Sequence, residues 1–376
     1  MRIKGSVYLG LNDENDVPDD RKVRISEVDF SRSDISGELK IRNAQISGDL
    51  SLFSGRVGRY FELRHSSLRS AGLEDGEFGE IEVVNTKFAD FLSAADAVVD
   101  HSVRLHRSVF TKRLDLFGAR LQSDLDLQGS TLNHVDLTAT QINGELVLGI
   151  NEASELKYSV NQTWQGQSIL SLEHAKIGLI RARLSGSVWP ENLELNGLVY
   201  KGFAPPISDK TYVPRSDEMK AWLRKSAYSP AAYKQLVSIL SDAGDSDSAT
   251  AVAIDGRDRE KQQAWHDRRY ETWLWLFVLD WFIGYGYSTW YSIIWIGILT
   301  GLGALVFRST RAAKDAGMPF GVSYSFDMLL PIIRLREEHY TKIDIQEWQR
   351  YYFYFHKVMG FILGSVIIAS LAGLTK

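Results

Sequence analysis

Hydrophobic residues in the first two hundred positions of the chain recur in a beat of ten or eleven residues. The phrase ISGELKI begins at Ile35, its near copy ISGDLSL begins at Ile46, and INGELVL begins at Ile142. This beat, with apolar and polar residues alternating inside each phrase, fits neither an α-helix nor a flat hairpin sheet. It predicts short parallel strands wound as a solenoid, in which each strand buries alternate residues and pairs with the coils on either side.

Between these phrases the glycine is lost but the apolar frame continues, as in Leu125, Leu127, Ser130 and Leu132. Two units together predict a four-sided coil of 21 or 22 residues, so residues 1–200 would form a rod of about eight coils. Small residues at the third position of the frame are expected to face inward where the coil turns. They are Ala44, Ser66, Ser108, Ala119, Ser130 and Ala175.

Two apolar runs without a charged residue lie near the end of the sequence, at residues 290–307 and 358–374. At ~1.5 Å per residue, each run approaches the ~30 Å thickness of a bilayer core. A pair of buried helices in a soluble protein is the alternative, but such helices seldom lack charge over this length while carrying aromatic residues at their ends. The pattern therefore predicts two membrane spans.

A helical neck is predicted between the rod and the membrane part, over residues 201–271. The composition changes at a proline-rich stretch that includes Pro205 and Pro214. Ser216 begins a short helix with acidic residues in its first turn, and Ser229 followed by Pro230 supplies the start of a second. The order of residues in the second and third helices resembles one tetratricopeptide-like helix pair.

The membrane module is predicted to occupy residues 272–376 and to begin with an interfacial helix at 272–287. This segment is too short and too aromatic for a span, and Trp273 and Trp281 suit the headgroup level of a bilayer. Arg268 and Arg269 come directly before it, where basic residues contact anionic lipids and hold orientation.

The loop between the spans contains an apolar segment at residues 320–335, which is too short to cross a membrane and long enough to dip into it. The order span, re-entrant segment, span is typical of the pore modules of two-span channels. Tyr324, Asp327 and Pro331 would then belong to the pore, with Asp327 facing water because a lone carboxylate in lipid is unfavourable. An amphipathic segment lying on the outer surface is an equally open alternative.

Small residues four apart occur in both predicted spans. They are Gly297 and Gly301 in the first span, and Gly360 and Gly364 in the second. Such spacing lets helix backbones approach closely, so these glycines are predicted to pack helices within or between copies of the chain.

Composition excludes several classes of function. The 376-residue chain has a net charge of −4, which gives no electrostatic reason to expect nucleic acid binding. It has no cysteine, and therefore no disulfide, thiolate metal site or cysteine nucleophile. His101 and His106 are expected at outward or corner positions of the rod. With no metal-ligand cluster, nucleophile–base pair, phosphate loop or cofactor motif in the sequence, we predict neither an enzyme nor a cofactor.

The repeating frame resembles the right-handed quadrilateral β-helix of pentapeptide-repeat proteins, and more closely degenerate relatives that carry a C-terminal membrane segment. The strict five-residue beat of the regular family is absent, and so the resemblance does not imply mimicry of DNA. A triangular bactofilin-like helix is the runner-up, but its coils would be shorter than 21 residues. The module after Gly284 resembles the membrane end of many bacterial β-helix membrane proteins.

Topology and function follow as expectations. The N-terminus lacks a signal-peptide pattern, which favours a cytoplasmic rod and C-terminus in the bacterial inner membrane; the basic residues of the loop argue the other way. We expect a homo-oligomeric effector that permeabilises the membrane under control of the rod, in the manner of anti-phage effectors such as those of retrons. A regulatory protein or a ribonucleoprotein is a candidate partner that would bind the rod. A membrane-anchored scaffold is the alternative.

Overall fold

The computed structural model describes residues 1–11, 13, 15–150, 162–287, 289–308, 321–330 and 348–371. The chain divides into two compact units, Met1–Val252 and Ala253–Lys376. The division falls inside a helix, so the predicted neck contributes residues to both units.

The first unit is built from short strands, most of them two to nine residues long, in two parallel sheets. The strands are β1 Arg2–Ile3, β2 Val7–Gly10, β3 Val23–Ile25, β4 Val28–Asp29, β5 Asp34–Ile35, β6 Glu38–Arg42, β7 Ala44–Ser51, β8 Arg56–Arg64, β9 Ser67–Gly72, β10 Glu77–Val84, β11 Lys87–Phe88, β12 Phe91–Ser93, β13 Val98–Val99, β14 Val103–His106, β15 Val109–Phe110, β16 Arg113–Asp115, β17 Arg120–Leu121, β18 Leu125–Asp126, β19 Thr131–Asp136, β20 Gln141–Val147, β21 Thr163–Ser171, β22 Lys176–Arg181, β23 Asn192–Glu194, β24 Val199–Tyr200 and β25 Phe203–Ala204.

Helices follow the strands. In the described residues they are α1 Ser216–Arg224, α2 Pro230–Asp242, α3 Ser246–His266, α4 Tyr270–Ile283, α5 Thr289–Arg308, α6 Val322–Leu329 and α7 Gln349–Leu371, with 3₁₀ turns at Asp19–Arg21 and Gly284–Gly286.

The strand register confirms the predicted parallel solenoid. Ile35 pairs with Val57, and the same column continues through Phe78, Val99 and Leu121. Successive members of this column are 22, 21, 21 and 22 residues apart, which is the predicted coil length. The whole column contains eight successive pairings from β1 to β24, so the solenoid has eight turns along this edge. One coil, β13 to β16, shows the four predicted sides.

The coil turns at residues in the left-handed backbone region. They recur every ten or eleven positions, and most are not glycine, although a Cβ makes this conformation unfavourable. This recurrence explains the period of ten or eleven residues in the sequence, because each repeat consists of two consecutive strands and one corner. The corner residues over residues 30–140 are Arg32, Asn43, Ser54, His65, Asp75, Asn85, Asp96, Arg107, Gly118, Gly129 and Ala139.

Aliphatic and aromatic side chains fill the solenoid, and one internal row is polar. Ser66, Thr86, Ser108 and Ser130 stack at equivalent positions of successive coils and are all buried. The hydroxyl of Ser108 accepts from the backbone N–H of Thr86 at 3.2 Å, and the hydroxyl of Ser130 accepts from the N–H of Ser108 at 3.0 Å. Because these hydroxyls form hydrogen bonds with backbone groups, their burial costs the folded state little free energy.

The first two helices cover the last coils. Trp222 of α1 is buried, and its ring lies 5.4 Å from that of Trp189 and 5.6 Å from that of Phe203, centroid to centroid. The α2 helix begins where Ser229 and Pro230 predicted, with the Ser229 hydroxyl accepting from the N–H of Ala232. Covering the end in this way keeps the stacked core away from water.

An aspartate in the stacked core is expected to unfold the first unit. Leu127 is fully buried, and Leu127→Asp would place an unpaired charge there, at a predicted loss of more than ~3 kcal/mol. Phe117→Asp is the matched control, because the Phe117 side chain is 45% exposed. Thermal unfolding followed by far-ultraviolet circular dichroism measures both variants. Equal melting temperatures for the two would contradict the assigned core.

Candidate membrane module and its polar interior

Two helices of the second unit are long and apolar enough to cross a membrane. Their apolar windows are Trp290–Arg308 in α5, with a mean hydropathy of 1.8, and Gln349–Ile368 in α7, with a mean hydropathy of 1.3. The first matches the predicted run at 290–307. The second helix begins nine residues before the predicted start at 358, since the intervening residues are mostly aromatic although Arg350 and Lys357 interrupt them. Residues 372–374 lie outside the described residues.

The short helix α6 packs between α5 and α7. At its start, the ring of Tyr324 lies 5.5 Å from the ring of Phe307, centroid to centroid. At its end, Leu329 is fully buried in one cluster with Leu299 and Leu363. Because Phe307 is close to the end of α5 and Leu299 close to its middle, α6 runs back alongside α5 by about half the length of that helix.

Glycines allow these close contacts. A Cβ on Gly360 would overlap the carbonyl oxygen of Leu329, and a Cβ on Gly303 would overlap the hydroxyl of Ser325. Gly364 is also buried. Gly297 and Gly301 differ, because both are exposed and a Cβ on either would meet nothing within 4 Å. Two of the four predicted packing glycines therefore lie on the inner face, and two lie on an open outer face of α5.

His356 lies in the centre of this packing and is fully buried. Its Nε2 donates to the backbone carbonyl oxygen of Ser325 at 3.0 Å and lies 3.4 Å from the Ser325 hydroxyl. The imidazole ring centroid is 5.5 Å from those of Phe307 and Tyr352. Its Nδ1 is buried and has no hydrogen-bond partner among the residues that the structure describes. The histidine thus ties α7 to α6 through one nitrogen and leaves the other unsatisfied.

Further polar side chains occupy the inner faces of the two long helices. Four further buried atoms have no hydrogen-bond partner within the described part of the chain: the hydroxyls of Ser292 and Thr300 on α5, and Oε1 of Gln349 and the hydroxyl of Tyr352 on α7. Ser292 and Thr300 are eight positions apart, and Gln349 and His356 are seven apart, so each pair shares a helix face. Together these side chains place polar groups in the interior of a helix bundle whose exterior is apolar.

The predicted pore residues are only partly described. Tyr324 and Asp327 both lie on α6 and are buried, with Asp327 at 0% exposure. Pro331 lies outside the described residues. The three were predicted as one segment, and the structure places the first two within the packed interior.

A charged cluster joins α3 to the turn before α5. Lys261 Nζ lies 2.6 Å from Asp280 Oδ2 and 3.1 Å from Asp258 Oδ1. The Tyr285 hydroxyl donates to Asp258 at 2.9 Å, and the lysine ammonium lies 5.5 Å from the centroid of the Tyr285 ring. Tyr285 itself has a positive φ of 55°, as Gly284 does at 51°. The cluster therefore holds a left-handed turn at the start of the apolar helix.

Hydrogen bonding keeps this cluster in its charged form. Partial burial alone would lower the pKa of Lys261, but its hydrogen bonds to Asp280, Tyr285 and Asp258 outweigh that effect and raise the pKa above its usual value. Burial raises the pKa of the Tyr285 phenol to about 12. At neutral pH the lysine is therefore a cation and the tyrosine a neutral donor, as the observed hydrogen bonds require.

The predicted interfacial residues lie around α4. Arg268 occupies a left-handed turn before this helix, with φ of 59°. Arg269 forms an ion pair with Asp267, in which Nη2 lies 3.4 Å from Oδ2. The ring of Trp273 lies 5.0 Å from that of Trp265, and the ring of Trp281 lies 4.8 Å from an indole of α5, centroid to centroid. These tryptophans thus pack at the two ends of α4, where it meets α3 and α5.

Sequence reasoning missed several members of the site. Gly303, Ser325 and His356 were not predicted, although they contact one another where α5, α6 and α7 pack together. A usable signal was present for one of them, because a histidine inside a long apolar helix is uncommon and marks a functional position. No comparable signal marks Gly303, since it lies outside the four-residue spacing of the other glycines.

Comparison of the chain with family models, with curated proteins and with solved structures finds no match. No group of three or more potential metal ligands occurs in the described part of the chain.

Alanine substitutions at two glycines are expected to have opposite effects. In Gly360→Ala the new methyl group would displace the carbonyl of Leu329, so α6 would have to shift and the module would lose stability. Gly297→Ala meets open space, and should stabilise its helix by up to ~1 kcal/mol. Thermal unfolding of both variants in detergent micelles is the measurement. Stabilisation by both would contradict the packing of α6 against α7.

Proposed function

We propose that this protein is a membrane effector. Its two long apolar helices insert in the bacterial inner membrane, copies of the chain assemble there, and the assembly permeabilises the bilayer. The β-helical unit would control that event from the cytoplasm.

The polar interior of the second unit carries the proposal. In a bilayer core no water is present to satisfy a lone polar group, and each one left unsatisfied is unfavourable by several kcal/mol. Ser292, Thr300 and His356 each contribute a buried atom that has no hydrogen-bond partner in the described ranges of the chain. A passive anchor would have no use for such residues. Water in a conducting path, or polar groups from a second copy, would satisfy them.

The position of α6 supports the re-entrant interpretation of the loop. Contacts from Leu329 to Leu299 and Leu363 place the end of α6 beside the middle of α5. A segment lying on the outer membrane surface would contact only the ends of the spans. Asp327, whose side chain is fully buried, lies on this same helix, so opening the packed interior would bring its carboxyl group to a water-filled path.

The open glycine face of α5 supports assembly. Gly297 and Gly301 are exposed, as are Ile294 and Ile298 on the same side of the helix. Small residues flanked by branched aliphatic ones let a second helix approach closely in lipid. The proposed homo-oligomer would therefore form through α5, while Gly303 and Gly360 are used inside each copy.

The alternative function is a membrane-anchored scaffold, in which the two helices merely hold the β-helix at the bilayer. The exposed aromatic surface of α4, which includes Trp275 at 63% exposure, would help either function equally. The biological setting that we propose for the effector is anti-phage defence, by analogy with two-span effectors of that kind.

Assembly and conduction should separate by mutation. Gly301→Leu is expected to abolish crosslinked oligomers and membrane depolarisation on overexpression, because the bulky side chain keeps helices apart. Gly301→Ala preserves a small face and should retain both the oligomers and the depolarisation.

Asp327→Asn is expected to preserve assembly and to change ion preference, since it removes only a charge. A wild type that crosslinks no further than a monomer and leaves cells polarised, even with its natural trigger present, would support the scaffold.

The proposed topology places the rod in the cytoplasm and the loop outside. Because the chain has no cysteine, single cysteines report position without background. A cysteine at Ser323, which is exposed at the start of α6, is expected to react with an impermeant maleimide on intact spheroplasts. A cysteine at Ser246 should react only after lysis. The reverse pattern would invert the topology.

A further inference from the structure

A cleft in the first unit lies between the last coils of the solenoid and helices α1 and α2. Its volume is about 770 Å³, which is in the range of small-molecule and side-chain pockets. Strand β22, the chain after β24, and the C-terminal half of α2 provide most of the wall. All of its lining residues belong to the first unit, for which we propose a controlling role.

The wall of the cleft is largely apolar. Phe203, Pro214, Met219 and Ile239 contribute to it. Val213, at the mouth, is 77% exposed. An apolar side chain this exposed beside an apolar cavity would be buried by a ligand that extends beyond the cavity itself.

Two carboxylates lie on one side of the cleft, at the C-terminal end of α2. Asp242 is the last residue of that helix, and Asp245 follows after the turn. Neither forms an ion pair in the described part of the chain; Asp242 accepts from the Ser238 hydroxyl at 3.5 Å, and Asp245 from the N–H of Ser248 at 3.1 Å. The negative end of the α2 dipole lies beside Asp242, whereas Asp245 accepts from the first turn of α3. Lys201 also lines the cleft, so its lining carries two carboxylates and one ammonium, and the carboxylate side favours a cation.

A buried group of the cleft lacks a partner. Tyr200 is among the lining residues and only 3% exposed, and its hydroxyl has no hydrogen-bond partner among the described residues. Gln235 fixes this part of the wall by donating to the backbone carbonyl of Tyr200 at 2.8 Å. An unsatisfied buried hydroxyl is unfavourable, and a polar atom of an occupant would relieve it.

We propose that this cleft binds a peptide segment of a partner protein, in which an apolar side chain enters the cavity and an adjacent lysine or arginine meets Asp242 and Asp245. The acidic side of the cleft rules against a phosphate-rich ligand such as nucleic acid. The exposed side chain of Val213 extends the apolar surface beyond the mouth of the cavity. A peptide could cover both the cavity and Val213, whereas a small molecule would fill only the cavity. The inference goes beyond the proposed membrane activity, and binding is measured without reference to permeabilisation.

The test uses the full-length protein in detergent and a phage-displayed library of random short peptides. Selected peptides are expected to share an apolar residue next to a basic one. One such peptide is then synthesised, and its affinity measured by fluorescence anisotropy. Asp242→Asn combined with Asp245→Asn should weaken binding by about tenfold, as expected from the loss of two charge contacts. Val213→Ser should also weaken it, without a change in folding because the side chain is exposed.

Matched controls lie close by. Asp247→Asn removes an exposed carboxylate outside the cleft, and Ile207→Ser removes an exposed apolar side chain in the same proline-rich stretch. Both should leave affinity unchanged, and the melting temperatures of all variants should match that of the wild type. The proposal is overturned if no peptide is enriched, if the enriched peptides are acidic, or if the cleft variants bind the peptide with the affinity of the wild type.

Discussion

Every buried polar group in an apolar interior needs a partner, and the stacked core of the solenoid satisfies this constraint more fully than the interior of the helical module does. Inside the solenoid, the hydroxyls of Thr86, Ser108 and Ser130 are each paired with a backbone group of the same or a neighbouring coil. Inside the helical module, Ser292, Thr300 and the Nδ1 atom of His356 have no hydrogen-bond partner among the described residues. Such atoms are not confined to that module, because the Tyr200 hydroxyl and the Trp222 indole N–H of the first unit also have no partner among those residues. Within a bilayer core, however, water could reach a buried polar atom only along a path through the protein, which is why we propose that the helical module conducts.

The solenoid could be predicted because its constraint repeats. Each coil buries apolar residues in the same register, so the beat survives although individual phrases vary. Its corners could not be predicted from residue type. A left-handed corner is expected to favour glycine, asparagine, aspartate or histidine, yet Arg32, Ser54, Arg107 and Ala139 also occupy corners. Stacking between coils fixes these residues and overrides their local preference.

The helical module was predictable in outline, because hydropathy alone marks both long helices. Its interior was not. The contact of His356 with the carbonyl of Ser325 joins residues 31 positions apart, and no local pattern links them. The Lys261 cluster similarly joins α3 to Tyr285 across the aromatic helix α4. Gly297 and Gly360 look equivalent in sequence, but only tertiary packing decides that one faces outward and the other lies against Leu329.

Current across a planar lipid bilayer tests the central claim most directly. The whole purified chain would be reconstituted, and an engineered protease site would then release residues 1–252, which removes control by the β-helical unit. The account predicts stepwise currents after cleavage, with an ion preference that the acidic group of Asp327 sets. Protein that inserts stably yet leaves the bilayer without current, before and after cleavage, would contradict it.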